Sequence, residues 1–299
     1  MSLNFHSEVS SNIIKSWVLM ISFILIIFGI GYVASLITGD YVTVPVLTIV
    51  FTLIYTLIMY FHGSSVILAI NGAREVTKQE FPHYFHTVEG LAIAAGVPTP
   101  KAYVIEDTAL NAFATGRDPK NAAIVVTTGL LAKLKRDELE GVIAHEMAHI
   151  KNFDIRMMML AAVLVGVITL LSDFLLRMFL WGGHNGRSEK NQVAVLAIVV
   201  GLVLAILAPL IAQLIKLAIS RKREFAADAE GARLTRYPLG LANALEKIKG
   251  DPDPLVDRAN KATAHLFIST PFRKSSTWIS NLFSTHPPID ERIRRLKAM

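Results

Sequence analysis

The chain has no cysteine among its 299 residues and little charge for its length. The lack of cysteine excludes disulfide bonds and thiol chemistry, and it fits a reducing compartment. Charged residues make up 18% of the chain and hydrophobic residues 53%, with a mean hydropathy of +0.46. This composition is too apolar for an ordinary soluble domain. The sequence also contains no nucleic-acid-binding module, because its basic residues cluster beside apolar runs rather than along an aromatic surface.

Four long apolar runs account for the composition. They are Trp17–Ile37, Val42–Phe61, Met157–Trp181 and Val193–Ala212. A helix of about 20 residues, rising 1.5 Å per residue, crosses the ~30 Å hydrocarbon layer of a membrane. The third run also carries Asp173 and Arg177 at helical i,i+4 spacing, which leaves a buried core helix open for that run. The sequence predicts four transmembrane helices, with the first two joined by a tight hairpin at Thr38–Tyr41.

The basic residues predict the orientation of these spans. If the N-terminus is cytoplasmic, the only basic residues in the outer links are Arg187 and Lys190. The inner flanks then carry Lys15, Arg74, Lys78, Lys151, Arg156, Lys216, Arg221, Lys222 and Arg223. The positive-inside rule favours this arrangement, with both termini in the cytoplasm. The net charge of +6 also suits contact with anionic lipid headgroups of the bilayer.

The most specific motif is His145-Glu146-Met147-Ala148-His149. Two histidines four residues apart lie on one face of a helix, so that both imidazoles can reach one zinc ion. Glu146 points toward the same site, where it can deprotonate a water molecule. The acidic residues before the motif predict a helix capped by Asp137. The sequence therefore predicts a cytoplasmic catalytic zinc site.

A catalytic zinc site needs a third protein ligand. One class places a histidine six residues after the second histidine, but Ile155 holds that position here. The alternative is a glutamate on a later helix, for which Glu224 is the best candidate and Asp154 a weaker rival. Asp228, one turn after Glu224, is predicted to accept the N–H of a zinc-bound histidine and fix its tautomer.

The remaining sequence divides around these spans and reads as an α+β fold. An N-terminal segment and hairpin (1–62) precede the first part of the catalytic domain (63–156). A second transmembrane hairpin (157–219) separates it from the second part (220–299). Helical periodicity covers Phe81–Ala95, and strands are predicted at Lys101–Ile105 and Ala122–Thr127. The intervening segment at 111–116 is either an edge strand that binds extended peptide or a plain loop.

The motifs together resemble those of the HtpX heat-shock membrane proteases and the related type I CAAX prenyl proteases. The resemblance rests on H-E-M-A-H at 145–149, A-F-A at 112–114, E-F-A-A-D at 224–228, T-H-P-P at 285–288 and E-R-I at 291–293. It implies a zincin-like (gluzincin) domain with one zinc ion per chain, in a bacterial or archaeal plasma membrane. It also implies an endopeptidase that removes damaged or misfolded membrane proteins under stress.

The same resemblance assigns two further groups of residues. Asn111, Ala112, Phe113 and Ala114 would hold the substrate backbone. His286 would lie near the zinc, either stabilising the oxyanion or acting as a removable ligand. Glu146 would take a proton from the attacking water and pass it to the leaving amine. A dedicated processing protease, an inactive membrane adaptor and a transporter using the intramembrane charges stay open as alternatives, and the oligomeric state is not predicted.

Overall fold

The computed structural model describes residues 5–164, 166, 221–251, 263, 266–268 and 287–299. Most of the third apolar run, the whole fourth run and the predicted residue His286 lie outside these described residues. The statements on structure that follow refer to the described part of the chain.

The N-terminal part is a pair of long helices, α1 (Phe5–Thr38) and α2 (Thr43–Ile70), which pack against each other. A short link joins them, and within it Asp40 accepts hydrogen bonds from the backbone amides of Val42 and Thr43. Both helices are long and apolar enough to cross a membrane, and most of their apolar surface is exposed. The predicted first hairpin is therefore confirmed as a helical pair, and each helix extends beyond its apolar run.

A four-stranded mixed sheet follows. Its strands are β1 (Arg74–Glu75), β2 (Lys101–Ile105), β3 (Ala112–Gly116) and β4 (Ala122–Thr127), arranged in the order β1-β2-β4-β3. Strands β2 and β4 run parallel, and β3 is antiparallel to β4. Both predicted strands are confirmed. The segment left open between strand and loop forms a strand at the end of the sheet.

Helices cover the sheet and surround one central helix. They are α3 (Pro82–Ala95), α4 (Thr128–Lys133), α5 (Arg136–Lys151), α6 (Arg221–Thr235), α7 (Pro238–Gly250) and α8 (Ile289–Lys297), with a 3-10 turn at Pro119–Asn121. Helix α5 packs on β3 and β4 and against α3, α6 and α7. It carries the two motif histidines, which places them in the core of the domain.

The ends of α5 differ from the prediction. The N-cap is Lys135, not Asp137, and the carboxylate of Glu138 accepts a hydrogen bond from the Lys135 amide at 2.6 Å. A glutamate at the third helical position satisfies an amide that the helix itself leaves free, which moves the start two residues earlier than expected. At the other end Phe153 adopts φ of 59°, and the chain resumes a helix at 154. This break turns Asp154 back toward the preceding turn of α5.

Close contact between α5 and α6 depends on a glycine. A Cβ atom on Gly231 of α6 would lie 3.1 Å from the backbone nitrogen of His145 and 3.3 Å from its Cα. Such contacts are tighter than ordinary packing, so a larger residue would push the two backbones apart. Gly231 lies seven residues after Glu224, two turns along the same face of α6. The glycine therefore lets α6 approach closely enough for Glu224 to reach the motif histidines.

Candidate metal centre

Three side chains from α5 and α6 converge in the core. The Nε2 atoms of His145 and His149 are 3.2 Å apart. The carboxylate of Glu224 lies 3.8 Å from Nε2 of His145 and 3.5 Å from Nε2 of His149. The three residues are 1%, 4% and 2% exposed, respectively. The best sequence candidate for a third ligand is thus brought together with the two histidines, and the group is one that can hold a metal ion.

The donor set fits zinc in type and spacing. Two donors at about 2.0–2.1 Å from a tetrahedral zinc ion lie about 3.3 Å apart. The observed separations of 3.2, 3.5 and 3.8 Å are close to that value. Two imidazoles and one carboxylate are also the ligands of a catalytic site, which leaves a fourth position for water or substrate. His145, His149 and Glu224 would therefore hold the ion.

Asp228 is paired with the first histidine. Its Oδ1 lies 3.0 Å from Nδ1 of His145. Arg292, on the C-terminal helix α8, binds both carboxylate oxygens, with Nε 2.9 Å from Oδ2 and Nη2 2.7 Å from Oδ1. Burial raises the pKa of Asp228, but the charge of Arg292 and the bond from His145 outweigh it and lower the pKa to about 2. Asp228 is thus a carboxylate, able to accept the His145 Nδ1–H and leave Nε2 free to bind a metal.

Asp154 is paired with the second histidine. Its Oδ2 lies 3.0 Å from Nδ1 of His149, and its Oδ1 lies 3.4 Å from Nη1 of Arg223. Burial lowers the pKa of His149, but the bond to Asp154 and the charges of Glu224 and Asp154 outweigh it and raise the pKa to about 9. A carboxylate on the far nitrogen makes a metal-binding imidazole more basic and fixes its ring. Asp154, the weaker ligand candidate from the sequence, instead contacts Nδ1 of His149, the ring nitrogen that faces away from the other two donor residues.

Glu146 is buried beside these groups, with 2% of its surface exposed. Burial raises the pKa of its carboxyl group. The charges of His145 and His149 lower it and that of Glu224 raises it, so Glu146 is close enough to couple with all three. A carboxylate with a raised pKa holds a proton more readily, which suits a group that takes and then returns one.

The predicted substrate residues lie on and beside the edge strand β3. Asn111 directly precedes it, and Ala112, Phe113 and Ala114 form its first three positions; all four are buried. On the side of β3 away from β4, the amide of Ile268 donates to the carbonyl of Ala112 at 2.9 Å. This contact is the kind that an added strand makes with an edge strand. The other predicted site residue, His286, lies outside the described residues.

Arg292 is the site residue that sequence reasoning missed. It is 1% exposed, and Nη1 lies 3.7 Å from the carboxylate of Glu224. Burial lowers its pKa, but the charges of Asp228, Glu224 and Glu146 raise it above the ordinary value, so the guanidinium stays charged. Arg292 lies on the basic helix α8 (Ile289–Lys297). In that helix Arg292 falls beside Ile293 and one turn before Leu296, both buried, which was the available signal.

The arrangement defines a class of protein. A His-Glu-x-x-His helix with a buried glutamate ligand from a later helix is the metal centre of a metallopeptidase. A family model described as peptidase family M48 matches residues 78–299. The match covers most of the chain, which therefore belongs to peptidase family M48.

Curated relatives agree over nearly the whole chain. A protease HtpX homolog of Dictyoglomus thermophilum is 47% identical over 298 residues, covering 99% of this chain and 95% of the relative. Homologs from Thermoanaerobacter pseudethanolicus and Streptococcus thermophilus are 45% and 43% identical; they cover 97% and 98% of this chain and 96% and 99% of the relatives. These relatives confirm the resemblance to HtpX proteases. Together with the two long apolar helices, they identify a membrane metalloprotease.

The solved structure of S. mikatae Ste24p has the same fold. The TM-score is 0.51 at 19% identity, and the match covers 97% of this chain. This chain spans 66% of the length of the solved one. The likeness supports a mixed, mostly helical fold with a small sheet.

Proposed function

We propose that the protein is a zinc endopeptidase that cleaves damaged or misfolded membrane proteins at the cytoplasmic face of the membrane during stress. The observation that carries this proposal is the convergence of His145, His149 and Glu224 beside the buried Glu146. The family and its relatives support peptidase activity. The substrate class is what the resemblance to the HtpX heat-shock proteases implies, and the pair of membrane-capable helices supports it.

The proposed chemistry divides among the residues of the site. When bound, zinc polarises the substrate carbonyl and lowers the pKa of a water molecule toward ~7. Glu146 orients that water, takes its proton and delivers the proton to the leaving amine. Asp228 and Asp154 hold the two imidazoles in the tautomers that keep Nε2 free. His286 is proposed to donate a hydrogen bond to the oxyanion.

The proposed substrate site is the outer edge of β3. A substrate that pairs with residues 111–114 is bound through its main chain rather than through its side chains. The enzyme's preference for particular substrate sequences is therefore expected to be loose. The Ala112 carbonyl already accepts a hydrogen bond from the amide of Ile268, which supports its use by an extended chain. A substrate strand that pairs there displaces Ile268. Locally unfolded polypeptide fits this requirement, because a folded segment has its backbone groups already paired.

The proposed domain arrangement places the site next to the bilayer. The second hairpin (157–219) separates the two ligand helices, while 63–156 and 220–299 form one catalytic domain. The basic residues flanking the spans favour cytoplasmic termini and a cytoplasmic metal centre. The proposed membrane is the plasma, or inner, membrane of a bacterium or archaeon.

Reporter fusions test this topology. Fusions after Asp40 and Asn185 are expected to report the outer side, and fusions after Lys120 and Lys297 the cytoplasmic side, because basic flanks are retained inside. Alkaline phosphatase and a cytoplasmic fluorescent reporter give opposite signals for each location. An outer-side signal after Lys120 would overturn the cytoplasmic placement of the metal centre.

Metal removal tests the activity. Detergent-purified protein is expected to contain one zinc ion per chain and to cleave casein. Chelation should abolish cleavage, and added Zn²⁺ should restore it, because the attacking water depends on the ion. Mass spectrometry measures the zinc content, and hydrolysis of fluorescent casein measures the cleavage activity of the same preparation. Undiminished cleavage by metal-free protein would contradict the proposal.

A further inference from the structure

Asn12 is a buried polar side chain near the start of α1, before the first apolar run begins. Its exposure is 1%. Its Nδ2 donates to Oδ1 of Asp154 at 2.8 Å and to the carbonyl of Asn152 at 3.0 Å, and its Oδ1 accepts from Nη1 of Arg223 at 3.3 Å. The carboxamide thus bridges the break after α5 and the first turn of α6. Both carry groups of the metal centre.

The two oxygens of the Asp154 carboxylate have different partners. Oδ1 receives Asn12 and Arg223, while Oδ2 faces Nδ1 of His149 at 3.0 Å. Because Oδ1 is held from two directions, the carboxylate plane is fixed and Oδ2 stays directed at the imidazole. A ring fixed in this way presents Nε2 to the metal position without rotational freedom.

We infer that Asn12 is a positioning residue of the metal centre, acting on His149 through Asp154. The inference rests on the proposed zinc function. Its consequence is that the N-terminal membrane helix completes the site, although Asn12 lies outside the part of the chain that the family model matches, 78–299. Helix α1 thereby serves the catalytic domain as well as the bilayer.

Substitution of Asn12 is expected to lower zinc affinity less than substitution of a residue that directly contacts a zinc-binding side chain. Loss of a direct partner of a zinc ligand costs about 10–100-fold in metal affinity. Asn12 is one contact further away, and Arg223 still holds Oδ1, so Asn12→Leu is expected to weaken zinc binding about 3–10-fold. Leucine has a similar shape and removes all three hydrogen bonds. Competition between the full-length protein and a chromogenic zinc chelator measures the affinity.

Ser16→Ala is the matched control. Ser16 lies one turn further along α1, is equally buried, and bonds to the Asn12 carbonyl within the helix. Its removal is expected to leave zinc affinity unchanged. Asn12→Ala serves as a second variant if Asn12→Leu does not fold, because alanine removes the carboxamide without adding bulk and favours helix. Unchanged zinc affinity in either folded Asn12 variant overturns the inference.

A double-mutant cycle separates positioning from simple docking of α1. If Asn12 acts through Asp154, the loss caused by Asn12→Leu should disappear in an Asp154→Asn background. Equal, additive losses in both backgrounds would mean that Asn12 only stabilises the helix contact, and the inference would be wrong. Wild-type protein that binds no zinc would overturn the proposed function. Wild-type protein that binds zinc as tightly as the Asn12 variants would overturn only the role of Asn12.

Discussion

Glu146→Gln is expected to lower casein turnover by about 10²–10⁴-fold and to leave zinc content at the wild-type level. Glutamine keeps the size and polarity of the side chain but cannot accept a proton. The residue is buried beside the three donor residues and is not one of them. Loss of turnover without loss of zinc is therefore the result expected when the substitution removes the general base.

Two further variants serve as comparisons for Glu146→Gln. Glu224→Ala removes one of three protein donors and is expected to weaken zinc binding by about 10²–10⁴-fold, the share of one ligand when ~10–16 kcal/mol of binding free energy is divided among three. Glu140→Gln alters a half-exposed acid on the same helix, paired with Arg136, and should retain both zinc and turnover. Turnover near the wild-type level in Glu146→Gln would rule out Glu146 as the base. Full zinc in Glu224→Ala would show that Glu224 is not a metal ligand.

Local patterns in the sequence were sufficient for the elements on which the site is built. The i,i+4 spacing of His145 and His149 requires only a regular helix, and α5 is regular across both. Strand-like runs predicted β2 and β4, the second of them rich in Val and Ile, and apolar length predicted α1 and α2. In each case the information lies within one continuous segment of the chain.

Two contacts of the site were not predictable in the same way. Asp154 reaches His149 because the chain breaks at Phe153, whose positive φ is uncommon for a residue other than glycine. Arg292 reaches Asp228 from 64 residues away because α8 packs on α6 and α7. Spacing cannot show either event, since the first depends on a break in the helix and the second on how helices pack. The sequence therefore predicted Asp228 as the carboxylate on one histidine, whereas the contact of Asp154 with His149 is evident only from the structure.

The second large effect is expected from Arg292. Arg292→Met should lower the free energy of unfolding by about 3–5 kcal/mol, because it leaves the buried carboxylate of Asp228 without its cationic partner. Methionine fills a similar volume, so the loss reports the charge rather than a cavity. Chemical denaturation of the detergent-solubilised protein measures the change. Arg294→Met, at an exposed position on the same helix, should stay within about 0.5 kcal/mol of wild type.

The double variant Asp228→Leu/Arg292→Met distinguishes the two roles of this ion pair. Removing both charges should recover most of the lost stability, because no buried charge is then left unpaired. Zinc affinity should nevertheless remain about 10–100-fold below wild type, since His145 has lost the carboxylate on its Nδ1. If stability and zinc affinity recover together, Asp228 serves only to balance Arg292. If neither recovers, the packing of α8, rather than its charge, stabilises this side of the metal centre.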